Sequence, residues 1–484
     1  MNQIVGFLND IIWSQALIYL CLGAGLYFSF RTRFLQVRHI KEMIKMLRDN
    51  KGSEVGVSSF QALALSLSGR VGTGNIAGVA TAIAFGGPGA VFWMWTIAFL
   101  GAGSAYVEST LAQIYKVKQD GEFRGGPAYY IEKGLKMKWY GVLFAIATVI
   151  GMGMLMPGVQ ANSISAGLQN AFGISPIISG LILVIILGLI IFGGIKRIVK
   201  VAEVVVPFMA IGYILVACAI IILNITELPN VLALIFKSAF ALNAAFGGII
   251  GMAVTWGVKR GIYSNEAGQG TGPHAAAAAE VTHPVKQGLV QAFSVYIDTL
   301  FICSATAFMI LITGMYNVKA PSGRYIINNL GDLEPGPIYT QKAVESVFPS
   351  FGSAFVAIAL LFFAFTTIMA YYYIAETNIA YLNRKVNRPW LAHSLKVFLL
   401  GSVFYCSIKT AALAWGLGDV GVGVMAWLNV IAILLLQKPA IIALKDYEKQ
   451  KAEGKDPIFD PQKLGIQDAD FWETEYQKRE KEVS

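Results

Sequence analysis

Charge is scarce in this chain. Only 14% of its 484 residues are Asp, Glu, Lys or Arg, against roughly 25% in a soluble globular domain. The deficit is spread over many long apolar runs, with 56% of residues hydrophobic and a mean hydropathy of +0.59. A chain of this kind is a polytopic membrane protein. Cysteine is scarce too. Cys21, Cys218, Cys303 and Cys406 each stand alone in an apolar run, which excludes a disulfide framework and a thiolate metal site. The histidines (His39, His274, His283 and His393) are scattered near helix ends. No His/Asp/Glu grouping has metal-ligand spacing and no serine sits in a nucleophile elbow, so the sequence does not read as an enzyme. Met1 to Asp10 lacks the basic region of a cleavable leader, leaving the first helix to direct insertion. The net charge of +9 resides in short inter-helix loops, which argues against nucleic acid as a partner.

What is present is a series of spans separated by loops of alternating character. A helix from about Ile11 to Phe30 is followed by Arg31, Arg33, Arg38, Lys41, Lys45, Arg48 and Lys51. That density of positive charge places the loop in the cytoplasm and the N-terminus outside. Its periodic Phe34, Leu35, Val37, Ile40, Met43, Ile44 and Leu47 predict a helix lying on the membrane surface. Further spans are expected at 59–85, 90–115, 141–172, 177–193, 201–223, 236–279, 288–314, 351–381, 392–408 and 420–444. Met315 to Pro349 is the longest polar loop, assigned outside. The spans total eleven, with the C-terminus inside, and divide the chain into three parts. Residues 1–57 hold the first helix and the amphipathic segment, 58–445 the core, and 446–484 a charged cytoplasmic tail expected to be partly disordered.

Two of these spans are interrupted. In Ser68-Gly69-Arg70-Val71-Gly72-Thr73-Gly74-Asn75-Ile76-Ala77-Gly78, three glycines fall within a seven-residue stretch at about midplane depth. Each weakens a helix. Backbone that leaves the helix inside a bilayer must be buried in protein or line a watery cavity. Gly74 and Gly78 also have the spacing of a close helix–helix crossing, so the stretch alone leaves both readings open. The second interruption, Ser264-Asn265-Glu266-Ala267-Gly268 followed by Gly270, Gly272 and Pro273, repeats the Asn-x-Ala-Gly of Asn75 to Gly78. Without the first helix, ten spans remain and divide five and five, so the two breaks occupy corresponding places in halves of opposite orientation. That arrangement points to a secondary transporter with a midplane site.

Val71-Gly72-Thr73-Gly74-Asn75, Gly86-Gly87-Pro88 with Trp93-Met94-Trp95, Gly125-Gly126-Pro127 and Trp256-Gly-Val-Lys259-Arg260 through Gly268 resemble the alanine/glycine:cation symporter family. The resemblance runs through nearly the whole membrane region. It implies an all-α membrane protein with one N-terminal helix and a leucine-transporter-like 5+5 inverted-repeat core. It also implies Na⁺-coupled uptake of a small neutral amino acid, alanine or glycine, across a prokaryotic plasma (inner) membrane by alternating access. The same fold carrying glutamine, or coupled to H⁺, is the alternative. One departure is Arg70, at a position where other members have a small or polar residue.

An amino acid needs donors for its carboxylate, and the amides of Thr73, Gly74 and Asn75 open the second half-helix, where an anion is favoured. By resemblance, Thr73 and Gly74 are the carboxylate site. Gln160 and Asn162 either meet the substrate or tie helices together, and Tyr263 and Tyr371 either wall the site or pack helices. By the same resemblance, Na⁺ takes the Phe363 carbonyl, the hydroxyls of Thr366 and Thr367, and the carbonyls of Ser68 and Val71. The charges at membrane depth are Arg70, Glu108, Lys259, Arg260, Glu266 and Asp298. Such groups are costly unless paired, so mutual neutralisation is expected, with Glu108 the first partner for Arg70 and both Glu108 and Asp298 meeting bases.

Overall fold

The computed structural model describes residues 2–46, 56–193, 195–242, 246–386 and 388–476. Among them six helices are long and apolar enough to cross a membrane: Gly89–Ile114, Lys138–Phe172, Arg197–Leu223, Pro284–Thr313, Gly352–Asn383 and Ala411–Ala452. A seventh follows if Asn2–Ile12 and Gln15–Arg31, bent by 42°, count as one span. The eleven expected spans include four that are not among these: the Trp390–Ser407 helix of 18 residues and three interrupted or shorter segments. Ser59–Arg70 with Val79–Gly86, and Ile250–Asn265 with Gly272–Ala278, are half-helices, and Pro176–Ile191 has 16 residues.

The helix starts follow from local chemistry. Ser58 and Gln61 form a reciprocal capping box at the start of Ser59–Arg70, satisfying donors that the first turn leaves free. Proline stands in the first turn of the helices beginning at Pro127, Pro176, Pro284 and Pro337, where its missing N–H costs nothing. Close packing depends on small residues, as expected where lipid offers no hydrophobic drive between helices. A Cβ on Gly257 would lie 2.5 Å from the Ala90 carbonyl oxygen, and one on Gly261 would lie 2.4 Å from Ile97. The 250–265 half-helix therefore lies directly on Gly89–Ile114. Apolar side chains cover the periphery instead, with Val204, Phe208, Ile211 and Leu215 of the 195–223 helix and Ile182, Ile185 and Leu189 of its neighbour all exposed. That is the pattern of a lipid-facing surface.

Three segments differ from expectation. The amphipathic stretch forms two short helices, Leu35–Arg38 and Ile40–Met46, where one was expected; Leu35 and Met43 are fully buried in protein while Val37 and Ile44 stay exposed; Leu47, Arg48 and Lys51 lie outside the described residues. The 315–349 loop is built, with a hairpin of Asn317–Lys319 and Tyr325–Asn328 and a helix Pro337–Val347. Residues 446–476 of the charged tail are structured. Its first residues extend the last helix to Ala452, and Phe459, Phe471 and Trp472 are buried further on. Composition suggests disorder there because these few aromatics are diluted by charge.

Candidate functional site

The first interrupted helix stops at Arg70, and after Val71 and Gly72 the chain resumes at Thr73 with a wide turn over Gly74–Gly78. Such π-type turns gather at functional sites. Asn75 closes the break: its Oδ1 accepts from the Gly72 N–H at 2.8 Å, while its own N–H donates to the Gly72 carbonyl at 3.2 Å. The Thr73 N–H donates to Oε1 of Gln160 at 2.9 Å. A backbone donor expected to receive a carboxylate thus already holds a carbonyl oxygen from a neighbouring helix. Gly72 is required here, since a Cβ would lie 2.5 Å from Oγ1 of Thr367 and 2.9 Å from Oε1 of Gln160. Gly74 has a different role. A Cβ there would lie 3.0 Å from Cα of Ser264, so this glycine lets the two interrupted helices touch.

On the far side of Gly72, Oγ1 of Thr367 donates within reach of both the Val71 carbonyl at 3.2 Å and the Phe363 carbonyl at 2.9 Å. These three oxygens converge from two helices, a hard donor set without a carboxylate that suits a monovalent cation. Thr366 does not join them through its hydroxyl. That group bonds back to the Phe362 and Phe363 carbonyls at 3.0 Å each, near the Met209 sulfur at 4.0 Å. The Ser68 hydroxyl likewise returns to its own helix at the Leu65 carbonyl.

The second break turns through Glu266, Gly268 and Gly270, all with positive φ, before Gly272–Ala278. Glu108 serves this turn. Its carboxylate accepts from the N–H groups of Gly268 and Gly270 at 3.2 and 3.1 Å and from Asn429 at 2.6 Å. The expected Arg70–Glu108 pair does not form; Arg70 donates to the Gln291 carbonyl at 3.1 Å and to the Ser294 hydroxyl. Asp298 also takes hydrogen-bond donors in place of a base. Asn75 and Ser264 donate to its Oδ1 at 2.7 and 3.1 Å, and Thr299 to its Oδ2 at 2.7 Å. Backbone amides opened by the second break serve Glu108, and neutral side chains serve Asp298, sources of donors that counting charged residues overlooks. Lys259 and Arg260 do pair, both with Asp419, at 2.8 and 2.7 Å. Asp419 was missed because it immediately precedes the span expected at 420–444; its signal was an acid at the edge of an apolar run.

Of the two amide side chains, only Gln160 reaches the break. Asn162 ties its helix to the Cys406 and Lys409 carbonyls at 2.9 and 2.7 Å. Tyr263 is buried with its ring 4.9 Å from that of Trp415. Trp415, which packs on Tyr263 and lines the adjoining cavity, has no feature in the sequence that sets it apart from other aromatics. Tyr371, one turn beyond Thr367, is also buried. Beyond Tyr263 and Trp415 lies a cavity of about 480 Å³, bordered by Trp256, Lys259, Arg260 and Asp419.

Interrupted helices that meet in a buried polar centre, inside an apolar-coated helical body, define a multi-pass membrane transporter. The manganese transporter of Eremococcus coleocola shares this fold, with a TM-score of 0.53 at 15% identity over 84% of this chain and 89% of that one. The model of the sodium:alanine symporter family matches residues 1–461, and the chain belongs to that family. It is a symporter and not an enzyme. YrbD of Bacillus subtilis (strain 168), named as a candidate sodium/proton-dependent alanine carrier, is 69% identical over the full length of both chains. The sodium/proton-dependent alanine carrier protein of Bacillus sp. (strain PS3) is 56% identical over 90% of this chain and 98% of its own. GlnT of Bacillus subtilis, named a probable sodium/glutamine symporter, is 48% identical over 95% and 93%.

Proposed function

We propose that this protein carries alanine or glycine into the cell together with Na⁺, by alternating access to the centre formed at the two breaks. The observation that carries the reading is the Thr73–Gly72–Val71 backbone. It presents an N–H to Gln160 on one side and a carbonyl to Thr367 on the other. An amino-acid carboxylate arriving at the Thr73 and Gly74 amides replaces the Gln160 oxygen and is favoured by the positive end of the following half-helix. A sodium ion at Val71, Phe363 and Thr367 then sits one residue away along the same backbone, with the Ser68 carbonyl completing the assigned set. Each ligand stabilises the unwound segment that the other needs, and this is the physical basis of coupling. Tyr263 and Tyr371 wall the side-chain end. In this reading the N-terminus is outside and the C-terminus cytoplasmic, following the positive loops.

The sodium/proton names of two relatives and the glutamine name of a third support a second reading, in which the same centre takes H⁺ or a larger side chain. Counterflow in proteoliposomes loaded with unlabelled alanine, glycine or glutamine separates the substrates. Exchange by alanine and glycine, but not glutamine, is expected; glutamine exchange at the alanine rate would move the assignment to the alternative.

A further inference from the structure

The two ends of the transport path are built differently. One opens into the cavity beside Lys259, Arg260 and Asp419. At the other, the Gly272–Ala278 half-helix is tied down. Its His274 carbonyl accepts from the Tyr373 hydroxyl at 3.2 Å. The Ala278 carbonyl accepts from the Val57 N–H, and Val57 accepts from the Glu280 N–H, both at 3.0 Å. The start of the first interrupted helix and the end of the second are therefore joined at one place.

The C-terminal segment closes over this junction. Trp472 is fully buried and donates its indole N–H to the Gln113 carbonyl at 2.8 Å. The Gln113 side chain in turn donates to the Ala276 and Ala279 carbonyls, the second at 2.9 Å. Lys116 also reaches the Ala279 carbonyl, at 2.9 Å, with its ammonium 4.5 Å from the Phe471 ring and 5.2 Å from that of Trp472. A second anchor lies a few residues further along. The Phe459 N–H donates to the Thr282 carbonyl at 3.0 Å, and the Thr282 hydroxyl donates to the Pro457 carbonyl at 2.9 Å. Lys133–Asp470 and Lys286–Asp456 ion pairs, each 2.8 Å, fix the ends.

We propose that residues 456–476 are a latch that holds the 272–284 segment shut, with Trp472 as its pin, and that the latch must release for the centre to open on this face. The inference rests on the transporter reading but not on which amino acid or cation is carried. The half-helix follows directly from the second break, so moving it away from the centre breaks the Gln113 and Lys116 bridges to Ala276 and Ala279. Those bridges are the ones that Trp472 and Phe471 cover. The ion pairs are at least partly exposed and guide the segment into place, while the aromatic side chains carry the strength of the closure.

The test is chemical access. Ala276 and Thr81, the latter bordering the open cavity, are replaced singly by cysteine in the full chain with Cys218→Ser, and labelled in proteoliposomes by a membrane-impermeant maleimide from each face. Trp472→Ala, and separately removal of residues 456–484, should raise labelling of Ala276→Cys by about tenfold or more and lower that of Thr81→Cys. Lys133→Glu should raise Ala276→Cys labelling by less, and adding Asp470→Lys should reverse that rise. Unchanged Ala276→Cys labelling in the Trp472→Ala protein would overturn the latch. Equal rises at both sites would overturn it too, since they report general loosening. Alanine counterflow on the same vesicles tests the transport reading separately.

Discussion

Asn75 and Ser264, one on each interrupted helix, donate to the same carboxylate oxygen of Asp298, at 2.7 and 3.1 Å. One buried acid on a third helix thereby holds the two breaks in register. Asp298→Asn keeps the size of the side chain but replaces one acceptor with a donor facing other donors. Leaving buried donors unpaired costs about 1–3 kcal/mol each. The variant should melt at a lower temperature in detergent and transport poorly. A wild-type melting curve would mean that Asp298 does not join the breaks.

Thr366 and Thr367 are adjacent in sequence but face different surroundings. Thr367 bridges to the Val71 carbonyl, whereas Thr366 bonds back to the Phe362 and Phe363 carbonyls of its own helix and reaches the Met209 sulfur. Thr367→Ala should raise the Na⁺ concentration for half-maximal uptake by about tenfold, the scale of one lost ligand of about 1.4 kcal/mol. Thr366→Ala should shift it little. Equal shifts in the two variants would place the ion elsewhere.

Gly72 has no room for a side chain between Thr367 and Gln160. Gly72→Ala should force both neighbours back, at about 1–3 kcal/mol of overpacking, and weaken substrate and cation binding together in titrations of the purified protein. Loss of one with the other intact would show that the two sites do not share this backbone.

These pairs also show how much of the molecule was legible in the sequence. The glycines and repeated Asn-x-Ala-Gly located both breaks, because a weakened helix at membrane depth is a local property of the chain. Thr73 and Gln160 stand out in the sequence as an amide at a helix break and a polar side chain in an apolar span, whereas Val71, Phe363 and Thr367 follow only from a resemblance. The partners of the buried charges were not legible. Glu108 is satisfied by the amides of Gly268 and Gly270, and backbone donors leave no trace in a count of side-chain charges. Asp419 lay hidden in a glycine-rich stretch, and Trp415 looked like any other aromatic in an apolar run. The structure of residues 456–476 was not legible because it comes from Trp472 seating on Gln113, more than three hundred positions earlier in the chain.

A pH effect follows from a group outside the membrane. His39 lies 3.3 Å from Glu42 and 3.0 Å from Glu448, and the hydrogen bond to Glu42 outweighs burial to raise its pKa above the ordinary 6.5. For Glu42, burial acts to raise the pKa, but hydrogen bonds from His39, Tyr447 and Lys451 outweigh it and bring the pKa to about 2. The His39 contribution is fully present below 6.5 and is lost as pH rises through the raised value. The Glu42 contribution is present above 4.5 and lost as pH falls toward about 2. Docking of residues 39–42 on the last helix should therefore be strongest between these limits, by about 1 kcal/mol or less for such part-exposed pairs. Thermal unfolding of purified protein against pH measures it. His39→Ala should flatten the alkaline fall, and an unchanged fall would assign it to another group.

The most direct test of the whole account is uptake of labelled alanine by proteoliposomes carrying the purified protein, under an inward Na⁺ gradient with the pH gradient and membrane potential both collapsed. The account gives accumulation above the external concentration, abolished when Na⁺ is equal on both sides and strongly impaired by Thr367→Ala. Accumulation that needs a proton gradient and ignores Na⁺, in protein that still exchanges alanine, would contradict the cation site at Val71, Phe363 and Thr367.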